Sequence, residues 1–316
     1  MAKIAANFRE SAALAGHEPG RGPASRMVAR GEGWSVSDVV CGAGPHDRPF
    51  EERHSAVCVA IVREGSFQYR SESGRELMTP GTILLGNPGQ HFECGHEHGV
   101  GDRCLSFSYD LGYFEEVLAE AEVRNRSARF ATLCVPPLRE LSALVSRACA
   151  YFAEFNEPST DPCAPGGGTN SGTWEAIGVE LAVRAMEAIP DRRPNKEISR
   201  AAESRMTRIV RVIESRPDAQ HSLGELALEA RLSRFHFLRV FRQLTGLTPH
   251  KYILRARLRR AATRLMLEPA RVLDIAFDSG FGDISNFNHA FRAEFGFSPL
   301  SCRRKYGRAN LRTKEL

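Results

Sequence analysis

The sequence predicts a chain of two domains: an N-terminal all-β barrel followed by two helices, and a C-terminal all-α domain. Three observations support this prediction. Apolar and polar residues alternate with period two over residues 33–110, two long amphipathic segments follow, and residues 204–307 contain one helical motif twice. With 316 residues the chain is long enough to bury two hydrophobic cores.

The N-terminal residues are rich in Gly, Ala, Ser and Arg and show no strand or helix periodicity, so we expect a flexible arm over residues 1–30. A barrel is expected over residues 31–112, because short alternating segments are separated by turn residues such as Pro80-Gly81. The expected strands include Trp34–Val40, Val57–Val62, Phe67–Arg70, Ile83–Leu85 and Cys104–Tyr109.

Residues 113–189 are expected to form a helical segment. Apolar residues recur at helical spacing over Leu138–Phe155 and Trp174–Ala188, and a loop rich in Pro, Gly, Ser and Thr separates them over 156–172. Two interpretations are open: the helices form an antiparallel pair that dimerises the protein, or they pack on their own barrel. Residues 190–203, with two prolines and several charged residues, are expected to be an interdomain linker.

The C-terminal domain over 204–307 begins with an amphipathic helix that ends before Pro217. Ser222 and Glu225 have the spacing of a capping box and predict a short second helix. A turn at Arg231-Leu232 and a third helix ending at a glycine follow. A short helix, a tight turn and a second helix with an exposed basic face form a helix-turn-helix. Residues 308–316 are expected to be a tail.

The motif returns after an offset of 49 to 50 residues. The first copy reads Ala227-x2-Ala230-x-Leu232 and then Gly246-Leu247-Thr248-Pro249, and the second reads Ala276-x2-Ser279-x-Phe281 and then Gly296-Phe297-Ser298-Pro299. Between them, Tyr252 to Leu267 lack Gly and Pro, which predicts a helix of about 19 residues and roughly 28 Å. This length is close to the ~34 Å between successive major-groove faces of a duplex, so two reading helices are expected on one side of DNA.

Charge supports a polyanionic partner for the C-terminal part. Residues 200–316 carry 23 Lys/Arg against 11 Asp/Glu, a formal charge of +12, whereas residues 1–199 carry 20 against 27, a charge of −7. The eight cysteines are irregularly spaced and no export signal or membrane-spanning run is found, which predicts free thiols and a cytoplasmic protein with no membrane partner.

The combination Arg257-Leu258-x2-Ala261-x3-Leu265, Ile275-Ala276-x3-Gly280-Phe281, Phe287, Phe291-Arg292 and Gly296-Phe297-Ser298-Pro299 spans two repeats. With it, residues 222–306 resemble the DNA-binding domain of AraC/XylS-type transcription regulators. The stretch from Thr79 to Gly89 is similar to a segment of the cupin-like effector barrels of the same family. The resemblance implies an N-terminal cupin-like barrel with a helical dimerisation pair and a C-terminal double helix-turn-helix.

The same resemblance implies which side chains contact DNA. Base edges are expected to be contacted by Phe235, Leu238 and Arg239 of the first reading helix and by Ser285, Asn286 and His289 of the second. Arg239 is the strongest candidate, because a guanidinium pairs bidentately with guanine. Phosphates are expected to be contacted by the remaining basic residues of the domain: Arg234, Arg242, Arg255, Arg259, Arg260, Arg303, Arg304 and Lys305.

A cluster of soft ligands stands in the barrel segment, reading His91-x2-Cys94-x-His96-x-His98-x5-Cys104. On a strand, Cys94, His96 and His98 share one face, and Cys104 is expected to return on the neighbouring strand. Sulfur and nitrogen donors at this spacing suit Zn²⁺ or another transition metal. Three interpretations stay open: a functional metal site, contact with an organic effector, or a structural role. Cys41 and His46 are further candidates for the same pocket, and Glu93, Glu97 and Asp102 for hydrogen bonds to ligating imidazoles.

The leading hypothesis is a sequence-specific, effector-controlled transcription regulator, most simply an activator, with double-stranded DNA, RNA polymerase and a second copy of the chain as partners. The effector is a small molecule or a metal ion, and no catalytic residue is assigned. The alternative is a metal-dependent cupin enzyme fused to a DNA-binding domain. A DNA-binding protein without an effector is the third possibility.

Overall fold

The computed structural model describes residues 23–44, 47, 49–96, 101–123, 128–156, 171–189 and 198–307. They form two compact units. The first draws on the chain up to Pro137, on Ser171–Arg211 and on Gln243–Gly246, and the second on Leu138–Asn170, Val212–Arg242 and the chain from Leu247 onward. Most of the expected arm, loop and linker, the whole expected tail, and His46, Glu97 and His98 lie outside the described residues.

The described residues of the first unit form ten strands in two antiparallel sheets. The larger sheet has the order β1-β2-β9-β4-β7-β10 and the smaller one β3-β8-β5-β6. The strands are β1 (Ala24–Gly31), β2 (Trp34–Cys41), β3 (Phe50–Arg53), β4 (Val57–Gly65), β5 (Phe67–Ser71), β6 (Gly74–Met78), β7 (Ile83–Gly86), β8 (His91–Gly95), β9 (Asp102–Tyr109) and β10 (Cys134–Val135). This confirms the all-β prediction.

The helices are α1 (Leu111–Glu120), α2 (Arg139–Asn156), α3 (Ser171–Glu187), α4 (Arg200–Ser215), α5 (Leu223–Glu229), α6 (Arg234–Thr245), α7 (Pro249–Leu267), α8 (Val272–Asp278), α9 (Ile284–Phe295) and α10 (Pro299–Tyr306). The second unit contains α2, most of α5 to α10 and the last turn of α4. The predicted 19-residue helix between the two motifs is α7, and its observed length is the predicted one.

Strand β1 corrects the expected extent of the N-terminal arm, because residues 24–30 pair with β2 instead of lying outside the sheet. Its burial does not follow period two: Ala24, Val28 and Ala29 are buried, and the register with β2 shifts between Met27 and Ala29. A bulge of this kind places two residues opposite one and interrupts the alternation. The sequence pattern therefore hides a strand that the structure contains.

The central strands of the larger sheet present two different faces, because successive side chains of a strand point to opposite sides. On β9 the odd-numbered residues Leu105, Phe107 and Tyr109 are almost fully buried, and Phe107 contacts Trp174 of α3. The even-numbered residues Cys104, Ser106 and Ser108 instead line a cavity between the sheets. The strand is apolar where it meets a helix and mixed in chemistry where it meets the cavity.

The helices after the barrel do not form the expected antiparallel pair. Helix α3 packs on α1 and on strands of the larger sheet, where the Tyr109 hydroxyl donates to the Gly178 carbonyl at 2.8 Å. Helix α2 belongs to the second unit and packs on α7 and α9, with Ala150 in the core of that unit. Each helix finds its partners inside its own unit, so the pairing is wrong, and packing on the barrel holds for α3 only.

The boundary predicted between residues 203 and 204 is also corrected. Helix α4 begins at Arg200, and its residues up to Arg211 belong to the first unit. There Glu203 forms an ion pair with Arg75 of β6, and Arg211 binds Ser66. The apolar face predicted for this helix is confirmed, because Met206, Ile209, Val210 and Ile213 are completely buried.

The duplicated sequence has duplicated backbone geometry. Gly246 and Gly296 follow the two reading helices with φ of 75° and 82°, the left-handed conformation common after a helix. Thr248 and Ser298 then cap α7 and α10 by accepting from the backbone N–H three residues on, with a proline in each first turn. The capping box predicted at Ser222 is also confirmed.

Aromatic side chains form the core around each reading helix. In α6, Phe237 and Phe241 are fully buried, and Phe241 meets the ring of Tyr252 edge-on at 5.6 Å. In α9, Phe287 and Phe291 are fully buried and lie in one cluster with Leu258 and Leu265 of α7. Both reading helices therefore bury one face completely, and their other faces are directed to solvent.

The turn between α8 and α9 predicts a specific sensitivity to substitution. Gly280 has φ of +90°, and a Cβ built there would lie 2.7 Å from the Cα of Asp218. Gly280→Ala should therefore lower the free energy of unfolding by about 1–3 kcal/mol in urea denaturation. Gly282→Ala is the matched control, because a Cβ there meets nothing within 4 Å. Equal effects of the two substitutions would contradict this account of the turn.

Candidate DNA interface and ligand pocket

The first reading helix, α6, carries an exposed face of mixed chemistry. Its N-terminal turn begins after Ser233, whose hydroxyl accepts from the His236 backbone N–H at 3.3 Å. Phe235 is 87% exposed, Arg239 is exposed on the same side, and Leu238 is half-buried. An exposed phenylalanine costs free energy in water, and a large exposed apolar side chain beside a guanidinium is typical of a contact surface.

The second reading helix, α9, has a more polar exposed face. The Asp283 carboxylate caps it by accepting from the backbone N–H groups of Ser285 and Asn286. The side chains of Ser285, Asn286 and His289 are exposed, opposite the buried phenylalanines. All six residues predicted to contact bases thus lie on the outer sides of the two reading helices, with Leu238 the least exposed among them.

The residues predicted to contact phosphates fall into two groups. Arg234, Arg242, Arg304 and Lys305 are exposed. The other four bind partners inside the second unit: Arg255 pairs with Glu294 at 3.0 Å, Arg259 with Glu214 at 2.7 Å, Arg260 with Asp218 at 2.6 Å, and Arg303 donates to the carbonyls of Leu265 and Ala270. Those four guanidinium groups hold the fold together, which leaves fewer of their N–H groups for a phosphate.

From the sequence, Arg257 is known only as the first residue of a motif. The structure shows what its side chain binds. Its guanidinium donates to the backbone carbonyls of Pro217 and Ala219 at 2.7 and 2.9 Å. Burial lowers its pKa, and nearby Asp218 opposes that change. Arg257 therefore fixes the segment that leads from α4 into α5 onto α7, and thereby positions the first helix-turn-helix.

The first unit contains a cavity of about 350 Å³ between its two sheets. Apolar lining comes from both sheets, and polar lining comes from Glu52, Arg53, His54 and Asp102, with several thiols and serines. A concave, partly apolar pocket with a few convergent polar groups is the usual form of a small-molecule site.

An aromatic cluster closes one wall of this cavity. His54 Nε2 and Tyr69 Oη share a hydrogen bond of 2.6 Å, and the Phe92 ring stacks on the imidazole with centroids 4.3 Å apart. Burial lowers the pKa of His54 to about 4, so the ring is neutral near neutral pH. No sequence pattern predicts this cluster, because its members come from three separate segments.

The predicted cysteine and histidine cluster is present in part. The ligating atoms of Cys41, His96 and Asp102 lie within 4.8 Å of one another, and all three residues are buried. His96 Nε2 and Asp102 Oδ1 are 2.5 Å apart, and the Cys104 thiol donates to Asp102 Oδ2 at 3.6 Å. Cys94 lines the same cavity, and His98 lies outside the described residues.

Sheet register explains why two members of this cluster had only minor roles in the sequence interpretation. Cys41 at the end of β2 stands directly opposite Asp102 at the start of β9. Sixty residues separate them along the chain, and no local pattern reveals the pairing. His96 follows β8 of the other sheet, so both sheets contribute to the cluster.

The thiols of the cavity are not activated nucleophiles. Burial raises the pKa of Cys41 to about 12, and burial and the Asp102 carboxylate raise the pKa of Cys94 and Cys104 well above the ordinary value. A thiol attacks as its thiolate, which this environment disfavours while no cation is bound. A bound metal ion supplies the positive charge that deprotonates a coordinating thiol, so the raised pKa values disfavour nucleophilic chemistry and not metal binding.

Comparison with known proteins matches two separate segments of the chain. Residues 226–305 match a family model described as a helix-turn-helix domain, and residues 42–160 match one described as an AraC-like ligand binding domain. The two matched models are the kinds of domain that the resemblance to AraC/XylS-type regulators implies, in the implied order: a ligand binding domain ahead of a helix-turn-helix domain.

Individual relatives match the chain over a limited part of its length. It is 43% identical over 79 residues to the HTH-type transcriptional activator RhaS of Klebsiella pneumoniae, covering 25% of this chain and 28% of that protein. It is 27% identical over 105 residues to the HTH-type transcriptional regulator MtrA of Neisseria gonorrhoeae, covering 33% and 35%. The chain thus spans about a third or less of the length of these relatives.

A solved structure of the DNA-binding domain of AdpA in complex with a target DNA is 30% identical, with a TM-score of 0.32, and covers 33% of this chain and 94% of that one.

Among the described residues of the chain, none of the helices combines the length and the apolar character needed to cross a bilayer.

His54 predicts a pH dependence of stability. The unfolded chain binds a proton at His54 near pH 6.5, whereas the folded state binds it only near pH 4. Stability should therefore fall as the pH falls from about 6.5 to 4, by up to about 3 kcal/mol. His54→Gln should remove that part of the dependence in urea denaturation at a series of pH values. His236→Gln, at an exposed position, is the control, and a profile unchanged by His54→Gln would contradict the assignment.

Proposed function

We propose that this protein is a sequence-specific DNA-binding transcription regulator whose affinity for its promoter is set by an effector held in the barrel cavity. The observation that carries the proposal is the pair of equivalent reading helices, α6 and α9, which bury matching phenylalanine faces and expose the opposite ones. Two relatives support the proposal by name, since RhaS is called a transcriptional activator and MtrA a transcriptional regulator. Activation, with RNA polymerase as a partner, is therefore part of the proposal.

The two helices divide the reading of DNA unequally. Arg239 supplies the bidentate donor for a guanine, and Phe235 supplies an apolar contact for a thymine methyl group. The exposed groups of α9 are short and neutral, so they discriminate less between bases. Arg234, Arg242, Arg304 and Lys305 contact phosphates, which adds affinity without base preference. Arg255, Arg259, Arg260 and Arg303 have a smaller part in phosphate binding, because each already has a partner within the protein.

The cavity is the effector site, because it is enclosed by both sheets and carries convergent polar groups. Ligand control requires that the effector bind two arrangements of the protein with different affinity. Helix α4 transmits the effect of ligand binding along the chain, because its N-terminal part belongs to the first unit and its last turn to the second. We assign no enzymatic activity, and the buried thiols and neutral His54 act in binding. A homodimer is also proposed, but without a role for an α2–α3 pair.

Arg211 anchors α4 to the first unit. Its Nε donates to the Ser66 hydroxyl and its Nη2 to the Ser66 carbonyl, both at 3.0 Å, and Ser66 is almost fully buried. Burial lowers the pKa of Arg211, and the negative charge of Asp102 opposes that effect. The charge of Asp102, which lines the cavity, thus affects the Arg211 guanidinium that holds α4 on the barrel.

The proposed base contact predicts a change in specificity. Binding sites are first mapped across the genome, and the recovered site is used in fluorescence anisotropy. Arg239→Ala should weaken binding to that site by about 1–3 kcal/mol and relax the base preference at one position. Arg304→Ala should instead weaken binding to all sequences alike and reduce the salt dependence by about one released ion. If Arg239→Ala leaves the base preference unchanged, α6 does not read DNA as proposed.

The anchor predicts a local change in dynamics. Arg211→Ala removes two hydrogen bonds from a charged donor, worth roughly 3 kcal/mol together. Hydrogen exchange should therefore increase over residues 200–211, whereas the central strands β4 and β9 stay protected. Arg200→Ala, at an exposed position of the same helix, is the control. Equal exchange in the two variants would show that Ser66 does not hold the helix.

A further inference from the structure

The triad formed by Cys41, His96 and Asp102 has the dimensions of a metal site. One thiol, one imidazole nitrogen and one carboxylate oxygen lie within 4.8 Å of one another. Around a four-coordinate Zn²⁺, with bonds of roughly 2.0–2.3 Å, ligand atoms stand roughly 3.3–3.8 Å apart. The ligands can therefore reach one ion through small side-chain rotations, in which the hydrogen bond between His96 and Asp102 opens.

The chemistry of the donors selects the class of ion. Sulfur, imidazole nitrogen and carboxylate oxygen together suit a borderline-soft divalent ion such as Zn²⁺, and are a poor match for Mg²⁺ or Ca²⁺, which prefer oxygen ligands only. Three protein ligands leave one coordination position open. The cavity of the barrel supplies access, because Cys41 and Asp102 line it.

The position of the triad connects it to the anchor of α4. Asp102 pairs across the sheet with Gly65, where φ is +76° and a Cβ would lie 2.3 Å from the Gly101 carbonyl oxygen. The next residue, Ser66, holds the Arg211 guanidinium through two hydrogen bonds. If Asp102 moves to bind an ion, the movement therefore reaches the hydrogen bonds between Ser66 and Arg211 that hold α4.

We propose that Cys41, His96 and Asp102 bind one soft divalent transition-metal ion, with Zn²⁺ as the best match, and that this ion is the effector. The sequence-based cluster is revised accordingly: His96 keeps its place as a ligand, Cys41 and Asp102 join it, and Cys94 and Cys104 surround the site. This inference rests on the proposed function only in taking the barrel as the sensing unit.

The test uses the full-length protein, reduced and stripped of metal, with Co²⁺ and Zn²⁺ as probes. One Co²⁺ per chain should bind with the near-ultraviolet charge-transfer absorption of a cobalt–thiolate bond. Cys41→Ser should abolish this absorption. His96→Gln and Asp102→Asn should lower the Zn²⁺ affinity by at least about 10–100-fold in competition with a chromophoric chelator, as loss of a direct ligand costs no less than loss of a supporting group.

Cys58→Ser is the matched control, because Cys58 lines the same cavity while its thiol pairs with the Ser106 hydroxyl at 3.5 Å. It should retain the absorption and the affinity of the unmodified protein. Circular dichroism checks the fold of each variant, and Asp102→Asn, which preserves side-chain size, serves if Cys41→Ser does not fold. Co²⁺ bound without a thiolate band, or equal behaviour of Cys41→Ser and Cys58→Ser, would overturn the site.

DNA binding separates this inference from the proposed function. Zn²⁺ should change the affinity for the mapped site about fivefold or more, and Asp102→Asn should remove the change. Zn²⁺ that binds the triad but leaves DNA affinity unaltered would overturn its assignment as effector. Intact metal binding in a protein that recognises no specific DNA would instead contradict the proposed function and still support the site.

Discussion

The second unit depends on the packing of aromatic side chains against the central helix α7. Phe237, Phe241, Phe287 and Phe291 are all fully buried, and a buried phenylalanine contributes about 1.5–3 kcal/mol relative to an exposed one. Because these rings fix the rotation of α6 and α9 about their own axes, they also decide which residues face outward. The core therefore determines which residues are exposed. Phe235 faces solvent because the buried positions of Phe237 and Phe241 turn its side of α6 outward.

Charged side chains contribute to that core in a way that composition alone does not reveal. The net charge of the C-terminal part suggested that most of its arginines face a polyanion. Several of them instead form ion pairs or bind backbone carbonyls within the unit. Arg257 and Arg303, for example, donate to backbone carbonyls. Arginine suits this role, because its planar fork offers several donors in fixed directions. The positive surface is therefore narrower than the count of basic residues implied.

The helical unit was predictable from sequence almost residue by residue, and the barrel was predictable only in outline. Caps, glycines and prolines are local signals, and they predicted the start of α5, the end of α6 and the length of α7. Strand pairing is not local: the contacts of Cys41 with Asp102 and of His54 with Tyr69 join distant segments, and no spacing rule anticipates them. The bulge in β1 removed the alternation on which strand prediction depends. The sequence therefore indicated the segment around Cys94 and His96, whereas the residues that lie together there follow only from the register of the sheets.

The position of helix α4 determines where the chain can be cut into separate fragments. The Ser199 hydroxyl accepts from the backbone N–H of Ala202 at its first turn, and four completely buried apolar residues follow within the same helix. A cut placed where the linker was expected to end would remove the cap, begin a fragment inside a helical turn and leave apolar side chains in water. No cut between Arg200 and Ser215 therefore divides the two units without breaking this helix, and a fragment that keeps the helix intact has to begin before Ser199.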